Sequence, residues 1–217
     1  MKKILFFSFI TLFFTSCFEI VEEINMKSNG AGQMLVTVNM SESKEDLKGY
    51  MDSGEVNGLS LPNQKELNSY LIQIEQTIES VEGMSNAKAQ ADFNEFIFTF
   101  AADFTSVKSM NLAINKLTKE LSRGMISIDN KYEYANGQFK RSFGQMVSPE
   151  EYEKLPMMQR FVLESARMVS IYTFSKPVRK VANQNVELSN DKKVVKFEST
   201  LGDIAKGALQ NETTITF

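Results

Sequence analysis

The chain has 217 residues, 42% hydrophobic and 24% charged, with a formal net charge of −3; this excludes a disordered protein and leaves room for one large domain or two small ones around a substantial core. Histidine and tryptophan are absent and Cys17 is the only cysteine. The commonest general base and metal ligand are therefore missing, as are any intrachain disulfide and any thiolate cluster for zinc or iron–sulfur, so no metal or cofactor is expected. The acidic balance gives no electrostatic basis for binding nucleic acid.

The first element is an address. Met1-Lys2-Lys3 supplies a positive start, and Ile4 to Phe14 form an apolar run of eleven residues broken only by Ser8 and Thr11. That is the length of a secretory signal and too short to span a bilayer as a helix. Phe14-Thr15-Ser16-Cys17 resembles a lipobox, in which small residues precede a cysteine that is acylated and becomes the new N-terminus. Phe14 is too large for an ordinary cleavage after Ser16 and also departs from the usual leucine of the lipobox. Residues 1–16 are thus expected to be a signal peptide and Cys17 the lipidated residue. Their removal takes away Lys2 and Lys3 and no acid, which leaves 22 basic against 27 acidic residues and a net charge of −5. Each buried CH₂ of an acyl chain contributes about 0.8 kcal/mol, so two or more chains would hold the protein on its membrane stably. Phe18 after the cysteine, in place of Asp, resembles lipoproteins sorted to the outer membrane. Glu19, Glu22 and Glu23 resemble a surface-export signal or sit on the wet face of a strand, so a periplasmic or surface location stays open.

The body follows with almost no linker. Phe18, Ile20, Ile24 and Met26 share one parity, interrupted by Glu22, and Met34, Val36, Val38 and Met40 share another across Ser28-Asn29-Gly30-Ala31-Gly32, which reads as a β-hairpin. Lys44 to Met51 suit a short helix. Asn63 with Glu66 resembles a capping box, and Leu67, Tyr70, Leu71, Ile74, Ile78 and Val81 share one helical face up to Gly83. Ala87 to Phe93 and Phe96 to Phe104 predict a second hairpin around Asn94-Glu95, with Phe96, Phe98 and Phe100 facing one way and Thr99 and Asp103 the other. A second helix is predicted from 105 to 122, with Val107, Met110, Ile114, Leu117 and Leu121 facing inward. Ile126, Ile128, Tyr132 and Tyr134 alternate up to the hairpin turn Asn136-Gly137, which leads into Gln138 to Phe143.

The expected fold is α+β: residues 33–134 follow the ferredoxin-like order β-α-β-β-α-β, a four-stranded antiparallel sheet with both helices on one face. Metal-carrying versions of that architecture place cysteines in the first loop, and this chain has none there. Ser148-Pro149-Glu150-Glu151 starts a further helix that Pro156 must kink or restart. Met168 to Phe174 return as a strand, and a C-terminal β-rich portion with a brief helix near 201–209 ends in a strand at 213–217. The expected division is a signal at 1–16, the lipidated N-terminus and core at 17–144, and a helix plus β-rich portion at 145–217 packed on that core.

Glu23-Ile24-Asn25 running into Asn29-Gly30-Ala31-Gly32, with Ser175-Lys176-Pro177-Val178 leading into a terminal β-hairpin, is similar to uncharacterised bacterial envelope lipoproteins and to LppM-type lipoprotein domains. The resemblance spans most of the mature chain and implies lipid binding; of functional residues it carries over only Cys17.

Candidate chemistry is sparse. Glu22/Glu23, Glu150/Glu151 and Asp92/Glu95 are the paired carboxylates, each placed where capping or solvation explains an acid. No Gly-x-Ser-x-Gly or phosphate-binding Gly-rich loop occurs. Asp129-Asn130, Asn190-Asp191 and Asn211-Glu212 lack the alternating oxygen ligands of a calcium loop. Lys176, Arg179, Lys180, Lys192, Lys193 and Lys196 form a basic group that either meets anionic head groups or keeps an edge strand solvated. The sequence therefore predicts a non-catalytic lipoprotein of the cell envelope, expected at the outer membrane, that binds another envelope protein. The alternative is a carrier or sensor of a lipid or other apolar molecule, which a Phe- and Met-lined pocket would favour.

Overall fold

Alternation and a short turn set the first hairpin: β1 (Glu19–Met26) and β2 (Gly32–Asn39) pair antiparallel, Glu19 opposite Asn39 and Met26 opposite Gly32. The computed structural model describes residues 18–56, 59–60, 62–121, 131–142, 148–183, 186–206 and 212–217. Cys17, the signal segment, Ile126, Ile128, Asp129-Asn130 and Asn211 lie outside these. A 3₁₀ turn and α1 (Lys44–Ser53) follow β2, and the two-residue strands β3 (Glu55–Val56) and β4 (Leu59–Ser60) pair with each other.

α2 (Gln64–Glu79) begins with the expected capping box. Asn63 Oδ1 accepts the Glu66 N–H at 3.0 Å, and Glu66 accepts the Asn63 N–H at 2.8 Å. Asn63→Ala should cost about 1 kcal/mol, read as a lower midpoint of urea unfolding with an unchanged slope. Gly83 at φ +85 turns the chain into β5 (Met84–Asp92), and a Cβ there would collide with the hydroxyls of Thr105 and Ser109. β5 bulges between Ser85 and Lys88 and pairs with β6 (Ile97–Phe104). Phe96, expected inside that strand, instead closes the turn at φ 54, and Asp92 Oδ1 caps the turn by accepting the N–H groups of Asn94 and Glu95.

After α3 (Val107–Leu121), β7 (Lys131–Ala135) and β8 (Gln138–Ser142) flank Asn136-Gly137, whose φ values of 53 and 71 are those a two-residue hairpin turn demands. Pro156 splits the next helical stretch into α4 (Pro149–Lys154) and α5 (Met157–Ser165), as its missing N–H requires. The rest is β9 (Arg167–Phe174), β10 (Lys180–Val181), β11 (Glu187–Leu188), β12 (Val194–Thr200), α6 (Leu201–Lys206) and β13 (Glu212–Thr216).

The strands form a seven-stranded sheet in the order β11-β12-β9-β1-β2-β6-β5 and a four-stranded sheet in the order β10-β13-β8-β7, beside the small β3–β4 pair. The protein is α+β. Two finer expectations need correction. The large sheet is mixed: β1 and β9 run parallel, from Glu19 beside Arg167 to Met26 beside Phe174. The strand at 131–135 does not complete a ferredoxin-like sheet over 33–134, because β1 already occupies the edge of β2 that it would have needed. A hairpin partner a few residues away closes a far shorter loop than a strand almost a hundred residues on, and β7 has its own such partner in β8.

The predicted one-sided helix layer is present, since α2 and α3 face each other over the same side of β2, β5 and β6. Phe98 and Phe100 pack beneath α2 with Leu71, Ile74 and Ile78. Asp103 is on the other face, bonded to Gln33 and Asn86. A second core lies between the sheets, where Ile24, Tyr172, Phe174 and Val195 meet Tyr132, Phe139 and Ile215. Phe139 is fully buried, with ring centres 5.1 Å from Tyr172 and 5.5 Å from Phe174.

Candidate functional site

Two features stand out in the interior, one over β2 and β6 and the other on the inward face of β1. The first is an apolar cavity of about 230 Å³ between the large sheet and the helix pair. Ile74 and Ile78 of α2 form one wall; Met110, Ala113, Ile114 and Leu117 of α3 form another. The sheet supplies Met34, Val36, Phe100 and Ala102 as the floor, with Met84 at one side. The space arises where two helices meet over a sheet that presents alanine: Ala102 and Ala113 are too small to fill the gap between the two core clusters. Three of the surrounding side chains are methionines, whose unbranched thioethers adapt to irregular shapes. The methionine excess in the sequence thus has a location.

The second feature is a buried polar cluster that joins the two sheets. Glu22, 4% exposed, stands on the inward face of β1. Its carboxylate accepts the Tyr172 hydroxyl at 2.7 Å, accepts the Tyr132 hydroxyl, and lies 3.3 Å from Arg141 Nη2. Arg141, 1% exposed, also donates to the Ser142 carbonyl at 2.6 Å and stacks 4.2 Å over the Tyr132 ring. Glu22 and Tyr172 come from the seven-stranded sheet, Tyr132 and Arg141 from the four-stranded one. Burial and the neighbouring Glu22 carboxylate push both phenols well above the ordinary tyrosine range, so both keep their protons and donate. Burial alone would lower the Arg141 pKa, but the Glu22 carboxylate beside it outweighs that and the guanidinium stays charged.

This cluster corrects the reading of Glu22 as a solvated strand acid. The signal was visible in the sequence: Glu22 interrupts the apolar parity of Ile20, Ile24 and Met26, so it occupies an inward position where only a paired charge is tolerated. Arg141 likewise shares parity with Phe139. What a single sequence lacks is the pairing of β1 with β9 and the stacking of the sheets, which alone bring the four side chains together.

The other candidate acids serve local structure. Glu95 pairs with Lys44 at 2.8 Å, Asp92 caps its own turn, and Glu151 closes a capping box with Ser148 that lowers its pKa. Glu23 is half-buried on the sheet face away from the helices, and Glu150 is exposed. Asp191 accepts the Ser189 hydroxyl and the Lys193 N–H and is held below the usual carboxylate range by those bonds. Among the described residues, no group of three or more His, Cys, Asp or Glu side chains could hold a metal ion. Lys176, Arg179, Lys180, Lys192 and Lys193 gather near the end of the large sheet where β9 finishes, whereas Lys196 stands apart on β12, paired with Glu198 at 2.6 Å.

Fold and cavity together define an α+β protein with an apolar space between a mixed sheet and two helices. No family model matches the sequence, and no curated protein matches it. Among solved structures, the chain is similar to the folded domain of LppM from Mycobacterium tuberculosis, at 8% identity and a TM-score of 0.44, over 94% of this chain and 91% of that one.

Proposed function

We propose that this protein is a lipoprotein of the bacterial cell envelope, tethered through Cys17, that holds an acyl chain or similar apolar molecule between α2, α3 and the sheet and performs no covalent chemistry. The observation that carries the reading is the cavity, about 230 Å³ and lined almost wholly by hydrocarbon and thioether groups. It is larger than the engineered apolar cavity of about 150 Å³ that stays dry and takes up benzene. It is smaller than the roughly 300–1,000 Å³ of pockets that enclose a drug-sized ligand. Part of one acyl chain fits this range better than a whole lipid does. Of the two sequence readings, the cavity favours the carrier over the protein adaptor.

The test is a titration of the protein with N-phenyl-1-naphthylamine, followed by displacement with saturated fatty acids of increasing length. Enhanced probe fluorescence that fatty acid reverses supports the reading. No enhancement, or enhancement that no fatty acid reverses, overturns it. Intact mass of the protein purified from membranes reads the tether separately, through the acyl mass on Cys17.

A further inference from the structure

Met157, Phe161 and Ile72, three of the most exposed large apolar side chains among the described residues, lie toward one end of the large sheet, and a group of exposed basic side chains lies at the other. β1 begins one residue after Phe18, whose carbonyl accepts the Arg167 N–H at 3.1 Å at the start of β9. β2 and β12 finish at this same end, Asn39 opposite Glu19 and Thr200 opposite Arg167. α5 and α6 meet here too, because Ala166, which closes α5, accepts the Leu201 N–H at the head of α6 at 2.9 Å. On α5, Met157 and Phe161 stand one turn apart on one side, 80% and 49% exposed. Arg160 between them is drawn aside by Glu153 at 2.7 Å. Ile72, 54% exposed, lines a groove with Asp92 and Ile97, which lie in the strand row of Asn39 at the same end.

The other end is different in kind. β1 and β9 finish there at Met26 and Phe174, the Ser175 N–H donates to the Met26 carbonyl, and the Val178 N–H donates to the Lys192 carbonyl at 2.7 Å. Lys27, Lys176, Arg179, Lys180 and Lys192 are all exposed around these junctions. A strand of eight residues separates the two ends, roughly 25 Å.

We propose that Met157 and Phe161 form an apolar knob that inserts into the interfacial layer of the bilayer holding the Cys17 lipid, and so seats the domain on that membrane by its β1-start end. The proposal rests on the reading of Cys17 as a tether. Cys17 directly precedes Phe18, and one hydrogen bond, two residues and one helical turn lead from there to Phe161, a path of roughly 20 Å. With no linker to lift it, this end of the domain stays at the membrane surface, where a bulky aromatic and a thioether find the boundary that amphipathic helices occupy. The charges near the knob are mixed: Glu150, Glu151 and Glu153 stand with Lys154 on α4, and Arg167 at the start of β9 pairs with Glu19 and Glu198. The basic group around the ends of β1 and β9 lies a strand length away. With charges of both signs around it, the contact is carried by the apolar side chains and needs no anionic lipid, and it leaves Lys27, Lys176, Arg179, Lys180 and Lys192 facing away from the anchoring leaflet.

The chain contains no tryptophan, so one introduced indole reports alone. Phe161→Trp and Leu188→Trp are each prepared in the processed protein, the second as a control on exposed β11 near the opposite end. Each is placed in phosphatidylcholine vesicles whose acyl chains carry a nitroxide close to the head group. Intact mass first reads whether Cys17 carries lipid, which tests the tether. Where it does not, this only thiol is coupled to maleimide-bearing phosphatidylethanolamine, so orientation is measured in either case. The expected result is a blue-shifted indole quenched about twofold or more for Phe161→Trp, unchanged by salt, with Leu188→Trp unquenched. Equal quenching of the two variants overturns the proposal, as does quenching that appears only with anionic lipid. A blue shift that grows with protein concentration without vesicles overturns it in favour of a second copy of the chain.

Discussion

Arg141→Met is expected to destabilise the protein by about 3–5 kcal/mol, because it leaves the Glu22 carboxylate buried without its counter-charge. For a chain of this size that lowers Tm by roughly 6–20 °C. The effect comes from desolvation more than from lost attraction: Glu22 and Arg141 are 4% and 1% exposed, and neither can regain water without parting the two sheets. Adding Glu22→Leu to Arg141→Met should recover part of the loss, since an apolar pair of similar volume costs little. It should not recover all of it, because the hydroxyls of Tyr132 and Tyr172 would then lose their shared acceptor, at about 1–3 kcal/mol each. Adding Tyr132→Phe and Tyr172→Phe removes those orphans and should bring stability close to wild type. Chemical unfolding of this series checks the order of the variants. An Arg141→Met protein as stable as wild type would mean that the cluster is hydrated and does not hold the sheets together.

Ala113→Leu is expected to weaken apolar-ligand binding about 30–100-fold while leaving the fold intact. Ala113 is 3% exposed and faces the cavity from the middle of α3. A leucine there replaces about three carbons of ligand, each contributing about 0.8 kcal/mol when buried. The resulting loss of roughly 2–2.7 kcal/mol is the stated range in Kd. Leucine is a good helix former and fills space that is otherwise empty, so stability should hold or rise slightly. Binding is measured by fatty-acid displacement of the naphthylamine probe and stability by urea unfolding. A variant that folds normally and binds as tightly as wild type would place the ligand elsewhere. Lost binding together with lost stability would show overpacking, and the smaller Ala113→Val then separates the two effects.

Most of the local structure was legible because local chemistry decides it. The Asn63 capping box, the Asn136-Gly137 turn, the break at Pro156 and the alternation of Phe98 and Phe100 against Thr99 and Asp103 all depend on neighbours within a few residues. The turn at Phe93–Phe96 was placed less well, since Asp92 holds it through two side-chain bonds that widen a predicted two-residue turn to four. The helix pair on one sheet face was also legible, because its apolar stripes have only one way to be buried.

By itself the sequence determined the α+β class, the turns, caps and faces of the elements, and the absence of histidine and of a second cysteine. Tertiary structure alone decided which strands became neighbours. It placed β9 parallel beside β1, gave β7 to a separate sheet, and so carried Tyr172, Tyr132 and Arg141 to Glu22 from positions as far as 150 residues away. Periodicity specifies which face of a strand is buried but not what buries it. An inward glutamate announces that a partner exists, and only the pairing of distant strands identifies it. The cavity follows the same logic: Ala102 and Ala113 are ordinary core residues in sequence, and they leave an empty space only because two helices and a sheet bring them together.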